Sequence, residues 1–155
     1  MFNSSLNLRQ TSNQIASRIQ DGIFIGNYIV LNEQQYLSQN KITHVVNCAA
    51  SEIQAPSNLK VLNFYWKDED YQTIIDISNV IEIITFVKRA VKKGESVLFC
   101  CLSGQSRSLS ALIAYLMYRY QWSLLKVFQY INIKKKEIEI RATFLNSLLI
   151  LKSKT

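Results

Sequence analysis

The sequence predicts an α/β domain with a central, mostly parallel sheet flanked by helices. Three observations point there. Four short apolar segments of strand length occur between Ile23 and Cys100; a long stretch with apolar residues three and four positions apart separates the third from the fourth; helical patterns fill the rest. A helix joining neighbouring parallel strands, followed by a helical cluster, is the order expected of a sheet covered on both faces.

The elements follow in chain order. Residues Met1 to Gln20, rich in Asn, Ser and Gln, read as a polar tail ordered in part at most, with only Ile15 and Ile19 at helical spacing to suggest more. Residues 21–155 read as one domain, because Pro56 is the only proline and no repeat or linker composition interrupts them. The strands are Ile23 to Ile25, His44 to Asn47, Val61 to Phe64 and Val97 to Cys100. A short helix is expected at Glu33 to Ser38. A long one is expected from Ile74 to Lys93, where Ile77, Val80, Ile81, Ile84, Val87 and Val91 repeat helically and Gly94 stops the pattern. Further helices are expected at Ser108 to Tyr120, Leu124 to about Lys134, and Thr143 to Leu151.

The bulk numbers exclude several classes. At 155 residues, 48% hydrophobic and 19% charged, the chain suits one soluble domain with a real core. No apolar run approaches the roughly 18 residues of a membrane span, and the polar N-terminus is unlike a signal peptide, so the cytosol or nucleus is expected. Three cysteines, two of them adjacent, make no disulfide framework, and one histidine without a second cysteine pair makes no zinc site. No metal and no cofactor are expected. The net charge of +7 suits nucleic acid, anionic lipid or phosphorylated substrates. Because the cations are scattered, and Lys134 to Lys136 reads as a solvated helix end, nucleic acid is disfavoured.

The chemistry lies where the fourth strand ends. Val97-Leu98-Phe99-Cys100-Cys101-Leu102-Ser103-Gly104-Gln105-Ser106-Arg107-Ser108 is strand, short loop and helix start. Such a loop turns successive amides inward as an anion nest, and the helix N-terminus adds about half a positive charge. A thiol in that field can fall from about 8.5 toward neutrality and become a nucleophilic thiolate. Arg107, on the first helical turn, carries a planar fork suited to two phosphate oxygens. No Gly-Lys-Ser/Thr sequence is present, which excludes a Walker-type nucleotide loop.

Cys101, five residues, Arg107 and Ser108, placed between strand and helix, resemble the dual-specificity branch of the protein tyrosine phosphatases. The resemblance extends over Gly22 to Asn27, Ile42 to Cys48, Leu62 to Phe64 and Thr143 to Leu148, nearly everything after the tail. It implies the compact dual-specificity version of that fold. It also implies that Cys101 attacks phosphorus, that Arg107 and the amides of Leu102, Ser103, Gly104, Gln105, Ser106 and Arg107 hold the phosphoryl oxygens, and that Ser108 stabilises the departing thiolate. For Ser108 a helix N-cap is the plain alternative. The general acid falls in Asp68-Glu69-Asp70. Counting forward from Leu62 to Phe64 gives Asp68, counting back from Cys101 gives Asp70, and Asp68 is preferred because chain direction out of a strand constrains a side chain more tightly.

One position departs from the family. It normally carries His before the nucleophile, where this chain has Cys100, so lower activity or a higher pH optimum is implied. Cys100 reads first as a small buried residue and second as a redox partner; Cys48 likewise reads as buried before oxidisable. His44 is expected to be structural, Asn47 to bond near the loop, and Trp66 and Tyr71 either to line the pocket or to pack elsewhere. Nothing resembles the element that deepens the pocket of tyrosine-specific relatives, so phosphoserine, phosphothreonine and phosphotyrosine on protein partners are the implied substrates. Leu102, Ser103, Gln105 and Ser106 are uncharged, which disfavours phosphoinositides. The competing readings are a phosphoprotein-binding pseudophosphatase and a basic nucleic-acid scaffold.

Overall fold

The run Val97 to Cys101 is apolar at every position because both of its faces are covered. In the computed structural model, which describes residues 16–68 and 75–135 together with 138, 140, 145, 146, 148 and 149, this run lies in the central strand. The sheet consists of β1 (Ala16–Gln20), β2 (Ile23–Asn27), β3 (Ile42–Asn47), β4 (Lys60–Asn63) and β5 (Ser96–Cys101), in the order β1-β2-β5-β3-β4. All pairs are parallel except β1 with β2. The mostly parallel sheet expected from the sequence is the one observed.

Alternation along β5 creates two cores. Val97, Phe99 and Cys101 face α2 (Ile77–Lys92), α3 (Ser106–Tyr120) and α4 (Leu124–Lys134), where Val80, Ile83, Leu109 and Leu112 are buried. Leu98 and Cys100 face the opposite core with Phe24, Val30, Leu31 and Val45; α1 (Gln34–Gln39) adds Leu37 there. A 3-10 turn, Tyr28–Asn32, was not expected; the Asn27 side chain starts it by accepting from the Ile29 amide.

Several boundaries differ from expectation, four of them instructively. Ala16–Gln20, read as the end of a tail, is an edge strand: such a strand needs few apolar residues, and Ala16 and Ile19 alone face inward. Gln20 donates to the Tyr120 hydroxyl at 2.9 Å and the Tyr130 hydroxyl donates to the Ile19 carbonyl at 3.3 Å, tying β1 to the helices. Residues 1–15 lie outside the described residues.

Helix α2 starts at Ile77 because Asp76 and Asn79 form a reciprocal capping box. Its buried stripe is Val80, Ile83, Val87 and Ala90, so Ile77, Ile81 and Val91 of the expected pattern are exposed. Helix α3 starts at Ser106, two residues early, and strand β4 ends at Asn63, leaving Phe64 to stack on Trp66 at 4.3 Å. Of the expected closing helix, Leu145, Asn146, Leu148 and Leu149 are described and helical, with Leu148 fully buried. Among the described residues no helix is long and apolar enough to cross a membrane.

Candidate active site

Strand β5 delivers Cys101 to the carboxyl edge of the sheet, the end at which ligands bind in open α/β folds. The next four residues turn back into α3. Gly104 has φ +72°, and a Cβ there would stand 2.8 Å from the Gly26 carbonyl carbon and 2.9 Å from the Asn27 nitrogen. The loop therefore rests directly on the backbone end of β2. Glycine is required both for the left-handed backbone and for the approach.

Cys101 is 1% exposed, with its Sγ 3.1 Å from Ser108 Oγ and 3.7 Å from the Gln105 carbonyl oxygen. Ser108 Oγ also lies 3.1 Å from that carbonyl. The hydroxyl has one proton for two acceptors. It can bond the carbonyl while sulfur is a thiol, and turn to donate when sulfur is a thiolate. Ser108 is not the helix N-cap, since the helix begins at Ser106 with Gln105 in the cap position and no side-chain cap bond. Within the loop, the Gln105 amide donates to Ser103 Oγ at 3.1 Å. Binding an anion through that amide requires the serine oxygen to be displaced; Leu102 is 40% exposed on the loop's outer side.

Arg107 is 2% exposed, and its fork is held from behind. Nη1 donates to Glu52 Oε1 at 3.1 Å and to the Trp66 carbonyl at 2.9 Å, and Nη2 donates to Glu52 Oε2 at 3.3 Å. Nε is buried and has no partner among the described residues. The Nε–H of a fixed guanidinium is thus without an acceptor, and a buried unsatisfied donor is costly unless one arrives.

Glu52 was missed by the sequence reading. Its only signal was that a buried arginine needs a counter-ion, and composition does not say which carboxylate reaches it. The structure supplies the reason through Asn47. Its side chain accepts from the Ala49 amide at 3.0 Å and donates to the Ile53 carbonyl at 2.8 Å, while the Glu52 amide donates to the Ala49 carbonyl at 2.9 Å. Asn47 therefore shapes the turn that carries Glu52. Its side-chain bonds thus lie near the loop, as the resemblance implied, and reach Arg107 through Glu52.

The neighbouring groups separate cleanly. Cys100 lies on the opposite face of β5 from Cys101, in the second core, which excludes it as a redox partner. Burial first, and then the nearby Cys101, push its thiol from the ordinary 9.0 up to about 12. Cys48 is on the same side as Cys101, and burial, followed by Cys101 and Cys100, pushes its thiol well up. The Trp66 ring packs in the core at 7% exposure, the second of the two expected alternatives, while its carbonyl holds Arg107. Asp68 follows two residues later and is half-buried. Glu69, Asp70 and Tyr71 lie outside the described residues.

His44 is buried, with Nδ1 2.7 Å from Thr43 Oγ1. It stands at the far end of β3 from this site, in a structural setting.

The dual specificity phosphatase catalytic domain model matches residues 23–154. A probable dual specificity protein phosphatase of Dictyostelium discoideum is 30% identical over 142 residues, covering 90% of this chain and 50% of the relative. Human dual specificity protein phosphatase 22 is 33% identical over 101 residues, covering 65% of this chain and 54% of the relative. The chain thus spans about half the length of these two relatives. The crystal structure of human tyrosine phosphatase-like serine/threonine/tyrosine-interacting protein matches with a TM-score of 0.80 at 22% identity, covering 90% of this chain and 97% of that one. At that identity the likeness concerns the fold.

Proposed function

Because the chain belongs to the dual specificity phosphatase catalytic domain family, we propose that it hydrolyses phosphotyrosine, phosphoserine and phosphothreonine on proteins through a cysteinyl-phosphate intermediate. In the first step Cys101 Sγ attacks phosphorus, the bond to the substrate oxygen breaks, and Asp68 gives that oxygen its proton. The Arg107 Nε and the loop amides hold the non-bridging oxygens, whose charge the α3 N-terminus also favours. In the second step Asp68 takes a proton from water, the water oxygen bonds phosphorus, and the sulfur leaves as thiolate while Ser108 turns its hydroxyl toward it.

The observation that carries this reading is the pairing of a sulfur 3.1 Å from Ser108 Oγ with an arginine whose Nε alone lacks a partner. Uncharged loop side chains and the exposed Leu102, Tyr28 and Tyr65 support a peptide substrate over a polyanionic one at this site. Cys100, in the position where the family has His, favours a second reading, a phosphoprotein-binding module that does not turn over.

Hydrolysis of a small aryl phosphate without added metal separates the two. Wild type is expected to turn over, and Cys101→Ser to lose turnover while still binding vanadate; a silent wild type that binds vanadate indicates the binding module. Asp68→Asn is expected to slow alkyl phosphates by about 10²-fold or more, and activated aryl phosphates much less, since their leaving groups need little protonation. The same selectivity from Asp70→Asn instead moves the acid by two positions.

A further inference from the structure

At the amino end of the sheet, a cavity of about 470 Å³ is lined by His44, Lys60, Phe86, Arg89, Lys92 and Lys93. It sits at the level of Val97, which pairs with His44, while Lys60 pairs with His44 from the other side. Four strand positions separate that level from Cys101, about 13 Å along the sheet. No carboxylate lines it. Among the described residues none of its four cations forms an ion pair.

The ordinary explanation accounts for three of the four cations. Arg89 and Lys92 occupy the last turn of α2 and Lys93 its C-cap, where cations complement the helix dipole. Lys60 comes from β4, and the dipole does not account for its joining the other three around one concavity. Their mutual repulsion works against the fold. Glu95 feels the charge of Lys60 and Lys93; it accepts from Thr43 Oγ1 at 2.7 Å and stands 3.6 Å from His44 Nδ1. One carboxylate engaged there offsets four cations only in part. The apolar wall is firm, because the buried His44 ring meets the Phe86 ring edge-on at 5.1 Å.

We infer that this cavity is a second, non-hydrolytic anion site, taking a compact ligand with several phosphate groups, of the inositol polyphosphate kind, free or as a lipid headgroup. The space is of ligand size, and its shape is a concavity, which suits a compact polyanion better than the extended track of a nucleic-acid backbone. Its lining holds no thiol, hydroxyl or carboxylate, so it lacks the Cys101 and Asp68 pair that hydrolysis at the other end would use, and the ligand is bound and not consumed.

The test is calorimetric titration of inositol hexakisphosphate into the full chain, in wild type saturated with vanadate and in Arg107→Lys, so that the catalytic loop cannot account for the signal. Binding should survive both conditions and weaken about tenfold for each cation removed, in Lys60→Ala, Arg89→Ala and the double variant. Aryl phosphate hydrolysis by the double variant should match wild type, and its melting temperature shows that it folds. Phosphatidylcholine vesicles with and without a phosphatidylinositol bisphosphate identify the source: capture only by the phosphoinositide vesicles assigns the headgroup, and no capture by either, with the soluble ligand bound, assigns the free form. The inference is overturned by binding that ignores Lys60 and Arg89, by binding that vanadate removes, or by duplex DNA binding through the same cations as tightly as the polyphosphate.

Discussion

The two ends of the sheet treat charge in opposite ways. At the carboxyl end, the Arg107 guanidinium is buried and fixed by Glu52 and Trp66, with one donor in reserve. At the amino end, Lys60, Arg89, Lys92 and Lys93 are exposed around a cavity without a lining carboxylate. The first arrangement suits chemistry, where donors have to be in place before charge develops. The second suits capture, where charge density matters more than the position of any one atom.

The two ends also hold a matched pair of left-handed glycines, and substituting them breaks or sharpens this contrast most strongly. Gly104→Ala forces a Cβ to within 2.9 Å of β2 backbone atoms and shifts the loop, so turnover should fall about 10²-fold. Gly94, at φ +74°, has open space around it, so Gly94→Ala should cost about 1 kcal/mol of stability and leave turnover unchanged. Equal losses of activity from both would mean that the carboxyl end is no more exactingly built than the other.

A smaller effect is expected from Glu52→Gln. It keeps the shape of the side chain and removes the charge behind Arg107, so kcat should fall about tenfold with vanadate affinity falling in parallel. Glu52→Asp should recover part of the loss. If kcat and vanadate affinity both stay at wild-type values, Arg107 is positioned by the Trp66 carbonyl and its own packing.

The mildest effect concerns the adjacent cysteines. Cys100 titrates at about 12 in the folded chain against an ordinary 9.0. The unfolded state therefore loses this proton first as pH rises, and the contribution to stability is complete below 9.0 and lost progressively toward 12. Urea melts of wild type should weaken over that window, and Cys100→Ala should weaken less. At neutral pH, iodoacetamide should label Cys101 in the native protein, and Cys48 and Cys100 only after unfolding.

Much of this was legible in the residues. The all-apolar run Val97 to Cys101 marked a strand covered on both sides, and the strand, loop and helix order around it placed Cys101 and Arg107 together. The edge strand Ala16–Gln20 escaped notice because a strand with one neighbour has little apolar content to display, and only Ala16 and Ile19 are buried, one in each core. In α2, Ile77 and Ile81 are as apolar as Ile83, and only packing against α3, β5 and β3 selected the buried stripe.

The sequence by itself determined four of the five strands and the thiol, guanidinium and hydroxyl of the loop, because each of these depends on residues close together in the chain. Tertiary structure alone decided that Glu52 backs Arg107, that Asn47 shapes the turn bearing Glu52, and that Lys60 joins three cations from α2 and its cap. Those pairings unite residues distant in sequence, whose meeting depends on strand register and crossover geometry, and composition and periodicity record neither.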